Sequence, residues 1–66
     1  MSKLPRLTPQ EAERLLLSNG FELLRSKGSH RIYAKGKIRF VIPYHAGKTL
    51  HPKIVKRLFE VISEGS

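Results

Sequence analysis

The chain has 66 residues, a formal net charge of +8 and no cysteine, which leaves room for one domain over residues 1–66 and rules out disulfides, thiolate metal sites and cysteine nucleophiles. A chain this short buries only roughly 60% of the surface its unfolded form exposes, so alone it is marginally stable. No apolar run approaches the roughly 18 residues of a membrane span, and the start MSKLPRLTPQEAER lacks the continuous apolar core of a signal peptide, so a cytoplasmic, non-membrane protein is expected.

In chain order, residues 1–7 read as a loose arm, and TPQE at 8–11 reads as a helix start. Thr8 can cap, Pro9 suits the first helical position, and Glu11 stands where a capping box needs an acid. Ala12, Leu15, Leu16 and Asn19 share one helical face, and Gly20 suits a left-handed stop, giving a helix over Pro9 to Asn19. FELLR, 21–25, reads as a strand with Phe21 and Leu23 on one face, and SKGS as a turn. HRIYA, 30–34, is a second strand, and KIRFVI, 37–42, is a third with Ile38, Phe40 and Ile42 on one face. Lys35-Gly36 joins them as a two-residue turn. Pro43 ends the third strand, since proline cannot donate to a ladder.

PYHAGKTL follows as a loop. His51 is placed to cap a second helix with Pro52 at its first position. Ile54, Val55, Leu58, Phe59 and Ile62 form that helix's apolar stripe, and Gly65 follows its end. Strands joined by short turns make an antiparallel meander. The fold class is therefore α+β: helix-strand-strand-strand-helix, a three-stranded antiparallel sheet with both helices on one face. Double-stranded RNA-binding domains share that order and packing, although fold alone does not settle function.

All charged residues from 25 to 57 are Lys or Arg, while the acids Glu11, Glu13, Glu22, Glu60 and Glu64 fall outside that window. Such a block favours polyanions, nucleic acid before membrane, because it spans strands and not one amphipathic helix. The plainer reading is a solvated surface that keeps a small protein soluble. Three histidines without cysteine or aspartate, at no zinc-motif spacing, argue against a metal site, and no cofactor is implied.

His30 is the sharpest candidate. Gly28 permits close approach of a phosphate, Ser29 offers a hydroxyl and an N–H, and Lys27 and Arg31 flank the site. A positive field holds an imidazole neutral more easily. RNA scission needs a base for the 2′-OH proton and cations for the phosphorane. From composition and spacing alone, the simpler reading of a hairpin turn followed by a polar strand residue is favoured. Alternation leaves the face of His30 open. Turning it away from the helices sends Arg31 and Tyr33 inward, and a bulge near Gly28 would shift the phase.

GFELLRSKGSHRIYA, then IRFVIPYH, then LHPKIVKRLFEVI, resemble the HicA-type toxins of bacterial and archaeal toxin–antitoxin systems. The most specific piece is Gly20-Phe21 and Arg25, then Gly28-Ser29-His30, joined to Ile42, Pro43, Tyr44 and His45. The resemblance implies a double-stranded-RNA-binding-like fold, ribonuclease activity on mRNA, and control by a HicB-type antitoxin that covers the active site. It makes His30 the catalytic histidine and sets His45 near the same sheet end. Many members begin the second helix with Gly-Thr, where this chain has Lys53-Ile54.

The mechanism expected is metal-independent, with His30 as general base. Lys27, Gly28, Ser29, Arg31, Lys35, Lys37 and His45 are the RNA-binding candidates. The general acid stays open among His45, a lysine and water. The alternative is an RNA-binding module that does not cut.

Overall fold

Helix α1 (Pro9–Ser18) starts where its capping residues place it. The Thr8 hydroxyl accepts the Glu11 N–H at 3.2 Å, and the Glu11 carboxylate accepts the Thr8 N–H at 2.8 Å, so two otherwise orphaned donors are satisfied reciprocally. The helix stops in a Schellman motif. Gly20 takes φ +88°, its N–H reaches the Leu17 carbonyl, and the Phe21 N–H reaches the Leu16 carbonyl. That stop drives Phe21 into the core against Leu16 and aims the chain at the sheet. The structure, a computed structural model, describes residues 4–44 and 48–65.

Strands β1 (Glu22–Lys27), β2 (His30–Lys35) and β3 (Ile38–Pro43) form one antiparallel sheet in the order β1-β2-β3. The first strand runs two residues past the expected Arg25, because the pairing shifts between Leu23 and Arg25 and lets Ser26 and Lys27 face Arg31 and His30. Both hairpins turn through two residues with glycine first: Gly28 at φ +58° before Ser29, and Gly36 at φ +59° before Lys37. Glycine at the first central position suits the right-handed strand twist. The second turn is therefore Gly36-Lys37, one residue later than the expected Lys35-Gly36, and Lys35 pairs with Ile38.

A Cβ at Gly36 would meet nothing within 4 Å, so an alanine there bears only the left-handed backbone penalty. Gly36→Ala is expected to lower the unfolding free energy by about 1–2 kcal/mol. A urea titration should show an earlier midpoint with an unchanged slope.

Helix α2 (Pro52–Glu64) begins at His51, whose Nδ1 accepts the Lys53 N–H at 3.1 Å. Both helices pack on the same face of the sheet, as expected. Ala12 and Leu16 from α1, Tyr33, Phe40 and Ile42 from the sheet, and Val55, Leu58 and Val61 from α2 make one core. Val61 was not in the expected stripe and is fully buried, while Ile54, Phe59 and Ile62 flank it half-covered. Phe21 is 2% exposed but Leu23 is 43% exposed, because β1 is an edge strand that the helix layer does not cover. Among the described residues no helix is long and apolar enough to cross a membrane.

Candidate nucleic-acid interface

The register settles which way His30 points. Tyr33, Phe40 and Ile42 are buried under the helices, and β-strand side chains alternate. His30 and Ile32 therefore lie on the open face. Cross-strand partners share that face, which adds Lys27 and Arg25 from β1 and Val41 and Arg39 from β3. His30, Arg25, Lys27 and Arg39 are all exposed. The bulge that makes this register possible sits at Leu24 in β1, not at Gly28.

His30 opens the central strand, with Lys27 on one side and Pro43 on the other. The turn before it is open: beyond its own chain neighbours, no atom of the described residues lies within 4 Å of where a Gly28 Cβ would stand. The Ser29 carbonyl accepts the Tyr44 N–H, which fastens the turn to the residue after β3. Among the described residues the His30 ring has no hydrogen-bond partner. His45 lies outside the described residues.

The other expected RNA contacts separate from this group. Arg31 turns to the opposite face, where its guanidinium donates to Glu13 Oε2 at 3.0 Å and lies 3.9 Å from the centroid of the Tyr44 ring. Lys35 also faces the helices, and its Nζ donates to the Asn19 carbonyl at 2.7 Å, at the C-terminal end of α1 where a cation is favoured. Lys37 is exposed in the second turn. That turn lies at the far end of β2, about 16 Å from His30 at ~3.3 Å per residue. His51 has its own task as the α2 cap. Among the described residues no three His, Cys, Asp or Glu side chains gather as a metal site.

Glu13 was assigned no role from sequence, yet it is the most connected acid. It accepts from the Tyr33 hydroxyl at 2.6 Å and from Arg31, with the Tyr44 hydroxyl at 3.5 Å. The Tyr33 bond, with help from Arg31, holds the Glu13 carboxyl below the usual carboxylate range despite partial burial. Burial, and then the Glu13 carboxylate, push the Tyr33 phenol well up, so it stays a donor. One sequence signal pointed here: Glu13 follows buried Ala12 and precedes buried Leu16 by one helical turn, so it borders the packed face.

The fold is a two-layer α+β sandwich whose open sheet face carries Arg25, Lys27, Arg39 and, at its far end, Glu22, with the exposed His30 at the head of the central strand. The family comparison is more specific. The profile of the HicA toxin of bacterial toxin–antitoxin systems matches residues 9–62, nearly the whole chain, and the chain belongs to that family. HicA toxins are known as mRNA-cleaving toxins, and the family implies a HicB-type antitoxin partner. No curated protein and no solved structure gave a significant match.

Proposed function

We propose that this chain is a metal-independent endoribonuclease that cuts mRNA in the cytoplasm, with His30 as general base. The observation that carries the reading is the exposed His30 ring on the open sheet face beside Lys27. A neutral imidazole takes the 2′-OH proton of a bound ribose. The 2′-oxygen then attacks the adjacent phosphorus, and the bond from phosphorus to the 5′-oxygen breaks. The leaving oxygen takes a proton from a lysine, His45 or water. The products are a 2′,3′-cyclic phosphate and a free 5′-hydroxyl.

Lys27 and the Gly28-Ser29 turn serve the phosphate, because they adjoin His30 and stand open to solvent. Arg25 and Arg39 extend the positive field along the same face. Ile32 and Val41, between those cations, offer apolar surface against which bases can rest. Arg31 and Lys35 are left out of the direct contacts, since each is engaged on the helix side. The HicB-type antitoxin competes for the basic face that RNA uses.

The second reading, RNA binding without cleavage, draws on one observation: no described side chain orients the His30 ring, whereas a catalytic base usually has such a partner. One experiment separates the two. Purified protein incubated with end-labelled single-stranded RNA in EDTA should yield fragments ending in a 2′,3′-cyclic phosphate. Intact RNA after long incubation, with binding that weakens steeply in salt, favours the module that does not cut. Cleavage that appears only when a divalent metal is added removes the metal-independent mechanism.

A further inference from the structure

The His30 ring has no partner of its own among the described residues, so the backbone on either side has to set its position. Both chain neighbours of His30 are fastened. Ser29 is held through its carbonyl by the Tyr44 N–H. Arg31 is held through its guanidinium by Glu13 at 3.0 Å. Tyr44 joins the two, because its ring lies under the Arg31 guanidinium at 3.9 Å and its hydroxyl points to Glu13 Oε1 at 3.5 Å. Pro43, the cross-strand partner of His30, directly precedes Tyr44. Beyond the ladder pairing of the strands, both of these ties run back to a single carboxylate on α1.

The bond from the buried Tyr33 hydroxyl anchors the Glu13 carboxylate in the fold, but the Arg31–Glu13 ion pair itself adds little stability. The Arg31 and Glu13 side chains keep 36% and 21% of their exposure, and ion pairs this open to water contribute little to folding. The geometry they impose is specific: a charge-assisted bond sets the guanidinium, and its close approach to the ring centroid sets the tyrosine.

We propose that Glu13 and Arg31 form a brace that positions His30 for proton abstraction, with Arg31 acting through Tyr44 and the backbone and not on the phosphate. This rests on His30 being the base. Both are positioning residues, because neither faces the side on which RNA would lie. Misplacement of a reacting group by even an ångström is costly in rate. The brace therefore acts on turnover and leaves RNA affinity to the open face.

The test is steady-state cleavage of a single-stranded RNA by the wild type, Glu13→Ala, Glu13→Gln, Arg31→Met and His30→Ala, with folding checked by circular dichroism. Glu13→Ala and Arg31→Met should each lower kcat by about 10- to 100-fold, with KM within about twofold of wild type. Glu13→Gln keeps an acceptor for Tyr33 and Arg31 and should retain most of kcat. A raised KM with normal kcat in Arg31→Met would show the guanidinium binding RNA directly and overturn the brace. So would a folded Glu13→Ala with wild-type kcat. Should Glu13→Ala not fold, Arg31→Met decides by the same split. Wild-type cleavage by His30→Ala defeats the underlying catalytic reading. Normal kcat in the brace variants beside an inactive His30→Ala defeats the brace alone.

Discussion

His30→Ala should abolish RNA cleavage while leaving the fold and RNA affinity nearly unchanged. The ring is exposed and makes no hydrogen bond among the described residues, so removing it opens no cavity and orphans no polar group. Surface changes of this kind usually shift stability by no more than about 0.5 kcal/mol. Affinity should persist because the cations that attract phosphate, Arg25, Lys27 and Arg39, stay in place, and their contribution scales with the counterions released. Cleavage should not persist, since a positioned base supplies roughly 10²- to 10⁴-fold in rate. The measurement pairs a labelled-RNA time course with a binding titration at the same salt concentration. A variant that binds normally and cuts at the wild-type rate removes His30 from the mechanism.

The second large effect falls on the core. Leu58 is fully buried on α2, in the cluster with Leu16, Tyr33 and Ile42. Leu58→Ala should cost about 2–5 kcal/mol, the sum of lost transfer energy and the cavity left behind. A domain of this size sits near the low end of the usual 5–15 kcal/mol total, so the variant should keep only a small margin of stability and melt well below the wild type. Leu17→Ala supplies the contrast: Leu17 is on α1 but 49% exposed, and its loss should change the unfolding free energy by no more than about 0.5 kcal/mol. Thermal melts followed by circular dichroism distinguish the two. A Leu58→Ala melt that overlays the wild type would mean that α2 does not close the core in this way.

Much of the fold could be read from short stretches of chain. Thr8, Pro9 and Glu11 announce α1 because capping is a contest among a few neighbouring donors and acceptors. Gly20 and the glycines of the two turns announce where the backbone reverses. Features decided over longer distances were less legible. Which β1 residues join His30 on the open face depended on a register shift at Leu24, and alternation cannot reveal an extra residue that the partner strand does not match. Val61 and Ile62 lie three and four residues past Leu58, so periodicity alone does not say which of them is buried. At the candidate site, the Gly28-Ser29-His30 piece stood out, but composition could not distinguish a lysine facing RNA from one that caps a helix. Lys35 is the second kind. Nor could it show that Arg31 finds its carboxylate eighteen residues upstream.

The two tight turns have a consequence for timing. Each strand pairs only with its sequence neighbour across two residues, so no distant segments must find one another to build the sheet. Chains dominated by nearby pairings fold quickly. The sheet that carries His30 should therefore form early, before the two helices from opposite ends of the chain close the core.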